Sequence, residues 1–128
     1  MAAKARLFHD AESLAAILST PSCATVKLLG RRVKGFVQST WDAHKFSIVV
    51  QGTRLKFRQN PALATTLLST GLRRLAEANP KDPVWGIGLR GSDPDARSPV
   101  KWRGENLLGQ ALMLVRKELL KDARRTAE

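Results

Sequence analysis

Hydrophobic positions along this chain recur mostly at three- and four-residue intervals, which predicts a helical protein. A short helix-prone run over 2–8 ends at His9-Asp10. Leu14, Ile17 and Leu18 then mark one face of a helix over Ala11–Ser19, with Asp10 placed to cap it. Pro21 opens the next helix at a first-turn position. Val26, Leu28 and Leu29 are its apolar residues, and Gly30 is its expected stop. Ser39 or Thr40 caps a longer helix reaching about Phe57. Trp41, Ile48 and Leu55 fall on one face of it and Phe46, Val49, Val50 and Phe57 on another, the pattern of a central helix. Asn60-Pro61 starts a further helix carrying Leu63, Leu67 and Leu68, and Gly71 ends it. Residues 74–78 read as a short strand, and Asn79-Pro80 with Asp82-Pro83 forces a loop. Leu108, Leu112, Val115 and Leu119 stripe a last helix over about 106–121. The expected architecture is mainly α, an α+β fold with a minimal sheet. It forms one compact domain over 1–121, followed by a charged, fraying tail over 122–128.

Composition narrows the picture. The length of 128 residues is that of one domain with an adequate core. Cys23 is the one cysteine, so an intramolecular disulfide is excluded. In its apolar, helical setting it reads as a small buried filler. No apolar run is long enough to cross a membrane, and the start of the chain lacks the apolar core of a signal peptide. The expectation is a soluble intracellular protein, cytoplasmic or nuclear, with no membrane partner. The net charge of +11 is uneven. Between 27 and 58 stand Lys27, Arg31, Arg32, Lys34, Lys45, Arg54, Lys56 and Arg58 against Asp42 alone. Such a field attracts nucleic acid or a diphosphate-bearing nucleotide.

Candidate chemistry concentrates in 81–116. Asp82, Trp85, Gly86 and Gly88 bring a carboxylate, an indole and bare backbone into one short segment. Trp85 and Trp102 flank a loop rich in Gly, Pro, Asp and Ser. Gly104, Glu105 and Asn106 precede the last helix, where free amides favour an anion, although Glu105 would repel a phosphate beside it. These are features of a nucleotide site, and equally of two core tryptophans packing a connection with Asp82 forming a turn. His9 and His44 lack any metal-ligand spacing, so neither a metal nor another cofactor is expected.

Two blocks of this region, Asp-Pro-Val-Trp-Gly-Ile-Gly-Leu at 82–89 and Trp-Arg-Gly-Glu-Asn-Leu-Leu-Gly-Gln-Ala-Leu-Met-Leu-Val-Arg at 102–116, closely resemble the NADAR (YbiA-like) family. Leu29-Gly30-Arg31, Trp41-Asp42, and Lys56-Phe57 with Gln59-Asn60 are similar to further family elements. The resemblance runs from Met1 to about Leu119. It implies an N-glycosidase acting on ADP-ribosylated guanine, in nucleotide or nucleic acid, or on ribosylamino-pyrimidines of riboflavin synthesis. A module that binds ADP-ribose without turnover is a further reading, and charge alone leaves a generic nucleic-acid-binding domain. The resemblance also implies a covalent role for Lys4, as an amine nucleophile forming a Schiff base with the opened ribose. The family glutamate that precedes this lysine would lie upstream of Met1, which makes this an N-terminally short member. Asp82 would then stabilise the cationic sugar carbon. Trp41, Trp85 and Trp102 would wall the ligand, Arg31 and Lys56 would supply positive charge, and Gly86, Gly88, Gly104 and Asn106 would approach its phosphates.

Overall fold

The computed structural model describes residues 1–127. Among these described residues six α-helices are formed: α1 (Ala2–Leu7), α2 (Ala11–Ser19), α3 (Cys23–Arg31), α4 (Gln38–Gln59), α5 (Pro61–Ser69) and α6 (Leu107–Ala127). Short 3-10 turns lie at Pro94–Arg97 and Pro99–Lys101. The chain gathers into two compact units, Met1–Ile48 and the part from Val49 onward, with the division falling inside α4.

In the first unit α1, α2 and α3 pack on one another. Ala5, Ile17 and Val33 are its buried centre, with Ala2, Phe8, Leu14, Val26 and Leu29 against them. His9 takes the left-handed conformation, φ 55°, and reverses the chain between α1 and α2. The Asp10 and Ser22 side chains cap α2 and α3 by accepting the amides of Ser13 and Thr25. Four local expectations are corrected here. Pro21 precedes α3, which begins at Cys23 behind the Ser22 cap, and α4 begins at Gln38, which places Ser39 and Thr40 inside its first turn rather than at its cap. Gly30 lies within α3 and is buried, because the helix continues one residue further, to Arg31. Cys23 is exposed, because it opens the first turn of α3 and stands before the Val26 and Leu29 positions that meet the core.

In the second unit α5 packs on α6. Val50, Leu67, Ile87, Leu89, Ala111 and Val115 are its buried apolar residues. Arg54 grips both carboxylate oxygens of Glu118 at 2.7 and 2.9 Å, and Arg58 reaches Asp122 at 3.0 Å. These pairs join the last turns of α4 to α6. The sequence pattern overstates the enclosure of α4: Val50 is buried, whereas Leu55 is 46% exposed. The charged segment after Lys121 continues α6 to Ala127, and Glu128 lies outside the described residues.

The expected minimal sheet is absent: among the described residues there is no strand. Residues 74–78 find no second strand to pair with. A side chain takes that part instead. Asn106 donates from Nδ2 to the Leu75 carbonyl at 2.9 Å and accepts the Glu77 amide on Oδ1 at 3.0 Å. One amide group thus offers the segment the donor and acceptor that a neighbouring strand would have supplied.

Candidate active site

Lys4 projects from α1, beside the buried Ala5. Its Nζ donates to the Gly30 carbonyl at 2.8 Å. It also lies 4.4 Å from the centre of the Phe36 ring and 5.3 Å from that of Trp41. Ring faces attract the ammonium but offer no counter-charge that would hold the proton firmly. Partial burial pulls the Lys4 amine below the ordinary lysine value. Lys34 and Lys101 differ: each sits on a carboxylate, Glu12 and Asp95 respectively, and each is shifted upward by it. Two residues singled out in the sequence, Lys4 and Trp41, therefore meet, and Arg31 follows directly on the glycine whose carbonyl holds the amine.

Asp10 sets this geometry. One carboxylate oxygen caps α2 through the Ser13 amide at 3.0 Å, and the other accepts the Lys34 amide at 2.8 Å. The second bond ties the connection after α3 to the α1–α2 corner. Phe36, two residues on, then lies with its ring centre 5.2 Å from that of Phe8 and its face toward Lys4. Hydrogen bonds from Ser13, then from the Lys34 amide, hold the Asp10 carboxyl down to about 2 from an ordinary 3.8. The native state thus binds a proton here less readily than the unfolded chain. The resulting stability is fully present above about pH 3.8 and is lost as pH falls toward 2. Acid titration of unfolding should show this loss in the native protein and a shallower one in Asp10→Asn. Equal acid sensitivity of the two would remove Asp10 as the tie.

In the second unit the loop over 83–88 crosses the approach to α6. The Glu105, Asn106, Leu107 and Leu108 amides donate to the Pro83, Gly86, Val84 and Trp85 carbonyls at 2.8, 3.0, 3.1 and 3.2 Å. The amides offered to an anion at this helix start are therefore already engaged by backbone. The glycines permit the crossing: a Cβ on Gly104 would come within 2.9 Å of the Pro83 carbonyl oxygen and nearer still to that of Gly86. Gly88, at φ 69°, lies against Arg103 in the same way. Asp82 accepts the Val84 and Trp85 amides on Oδ1 at 3.1 and 2.8 Å, the arrangement of a turn-forming aspartate. Trp102 donates from its indole to the Ala96 carbonyl at 2.9 Å. It walls two shallow clefts of about 420 and 470 Å³, shared with Gly104 and Glu105, and the first also reaches Asn106 and Arg74. Lys56 is exposed beside the Phe57 ring. Among the described residues no cluster of His, Cys, Asp or Glu could hold a metal, and no helix is long and apolar enough to cross a membrane.

Sequence reasoning missed Phe36 and the second bond of Asp10. An aromatic at 36 followed by Val37 carries no periodic signal, and a bond 24 residues long has none at all.

The NADAR domain family matches residues 1–120, and the chain belongs to it. It is 47% identical over 118 residues to N-glycosidase R617 of Acanthamoeba polyphaga mimivirus, covering 92% of this chain and 69% of that protein. It is 34% identical over 118 residues to Protein irg-1 of Caenorhabditis elegans, covering 91% and 56%. It is 36% identical over 104 residues to the chloroplastic riboflavin biosynthesis protein PYRR of Zea mays, covering 78% of this chain and 15% of that one.

Proposed function

We propose that this chain cleaves the bond between ADP-ribose and guanine, in nucleotide or nucleic acid, with Lys4 as the nucleophile. The coarser statement, an enzyme of the N-glycosidase class, rests on the NADAR match and on the 47% identity to a protein named for that activity. The observation that carries the role of Lys4 is its amine: lowered by partial burial, anchored on a neutral carbonyl and faced by two rings. In its neutral form it attacks the anomeric carbon, and the bond from that carbon to the base nitrogen breaks. The base leaves with the electron pair and receives a proton. Opening of the sugar ring turns the adduct into an iminium, and water hydrolyses it to free sugar and amine. Nearby cations such as Arg31 suit a diphosphate, and the net charge of +11 suits a polyanionic substrate better than a small phosphorylated pyrimidine.

The name of the Zea mays relative, a riboflavin biosynthesis protein, supports a second reading, hydrolysis of ribosylamino-pyrimidine phosphates. Incubation with an ADP-ribosylated guanine oligonucleotide and, separately, with a ribosylamino-pyrimidine phosphate should release ADP-ribose from the first and leave the second intact, as read by mass spectrometry. Release from the pyrimidine alone would transfer the assignment to the second reading. Tight ADP-ribose binding without release from either would make the chain a binding module.

A further inference from the structure

A groove of about 400 Å³ runs between the end of α5 and the last turns of α6, and none of the site residues assigned above is among those lining it. Its apolar walls are Leu72, Met113 and Leu120, and Leu72 is 96% exposed. Lys117, Lys121 and Arg124 follow one another at helical intervals along its α6 side, a cationic edge about 10 Å long. Arg116 closes the bottom. It is 6% exposed, and it donates to the Thr70 hydroxyl at 2.6 Å and the Arg73 carbonyl at 2.9 Å. Among the described residues no acid lines the groove. The neighbouring acids of α6, Glu118 and Asp122, are turned to Arg54 and Arg58.

From this juxtaposition we infer that the α5–α6 groove docks an acidic segment of a partner protein, an amphipathic helix that seats an apolar side chain between Leu72, Met113 and Leu120 and sets carboxylates against Lys117, Lys121 and Arg124. An apolar floor edged by cations of one sign is complementary to a helix with an apolar stripe and acidic flanks. A nucleic-acid backbone would match the cations and leave the floor and Leu72 unused. The stems of the lysines and Arg124 add to the apolar wall while their heads stay in water.

The probe is a fluorescent peptide of about four helical turns with leucines on one face and glutamates beside them. Fluorescence anisotropy should show saturable binding to the whole protein. Binding should weaken about tenfold in Leu72→Ser and by at least as much in Lys121→Glu/Arg124→Glu. A charge-matched control far from the groove in sequence, Lys27→Glu/Arg32→Glu, should bind nearly as the native protein does. Circular dichroism checks that each variant is folded. Three results would overturn the inference. One is equal loss in the control, which would mean diffuse charge attraction. Another is equal binding of a scrambled peptide of the same composition. The third is tighter binding of a duplex DNA that is lost in the same groove variants, which would make the groove a nucleic-acid surface.

Discussion

Lys4→Ala should lose glycosidase activity by a factor of about a thousand or more while melting near the native temperature, because its side chain is only partly buried and bonds to one carbonyl. Borohydride added during turnover should reduce the iminium to a stable amine. The protein would then gain the mass of the sugar adduct, located on the peptide that contains Lys4. Lys4→Arg should be equally inactive, since a guanidinium stays protonated and cannot supply an amine. The pH profile is a second signature. The reacting species is the neutral amine, so the rate rises with pH through the Lys4 pKa. Burial has lowered that value, and the rising limb should lie below that of an ordinary lysine. Turnover without a trapped adduct would indicate direct attack by water. Undiminished turnover in Lys4→Ala would remove Lys4 from the mechanism.

The largest expected effect on stability belongs to Asn106, a residue of the α6 entry that the sequence offered as a ligand contact. It is 2% exposed and clamps both Leu75 and Glu77. Asn106→Ala strips a half-buried carbonyl and a half-buried amide of their partner at once, which costs about 2–3 kcal/mol. In a chain of this size that is a fall in melting temperature on the order of 10 °C. Asn106→Asp keeps the acceptor for the Glu77 amide but loses the donor to the Leu75 carbonyl, so it should fall between Ala and native. Thermal melting of the three proteins reads the order directly. A native-like melt for Asn106→Ala would mean that residues 74–78 hold their path without the clamp. Asn106 also has φ 55°, a conformation that asparagine tolerates better than most residues. Part of the Ala deficit therefore comes from backbone preference. Asn106→Gly, which relieves that strain but lacks the clamp, separates the two contributions.

The helical content was legible from periodicity alone, because each helix closes its hydrogen bonds locally and needs only one apolar stripe to be held. Asp10 as a cap, Pro61 as a first-turn residue and Gly71 as a left-handed stop were readable for the same reason: each acts within a few residues of itself. The strand at 74–78 was misread because strand-like composition says nothing about whether a partner exists. The partner turned out to be a side chain about thirty residues away. The motif residues 82–89 and 102–116 stood out in the sequence, but their glycines could not reveal what comes close to them. The nearest group to Gly104 is another stretch of backbone.

By itself, then, the sequence determined the run of helices, the Asp10 cap, the basic character and, through its motifs, the family. Tertiary structure alone decided that Lys4 meets Phe36 and Trp41 and that the amides ahead of α6 are engaged. It also decided that Asn106 serves as a clamp and that Lys117, Lys121 and Arg124 edge an apolar groove. The physical reason is range. Caps, turns and amphipathic stripes are set by neighbours along the chain. The shift of an amine, the satisfaction of a buried amide and the company of a cation depend on groups that only folding brings near.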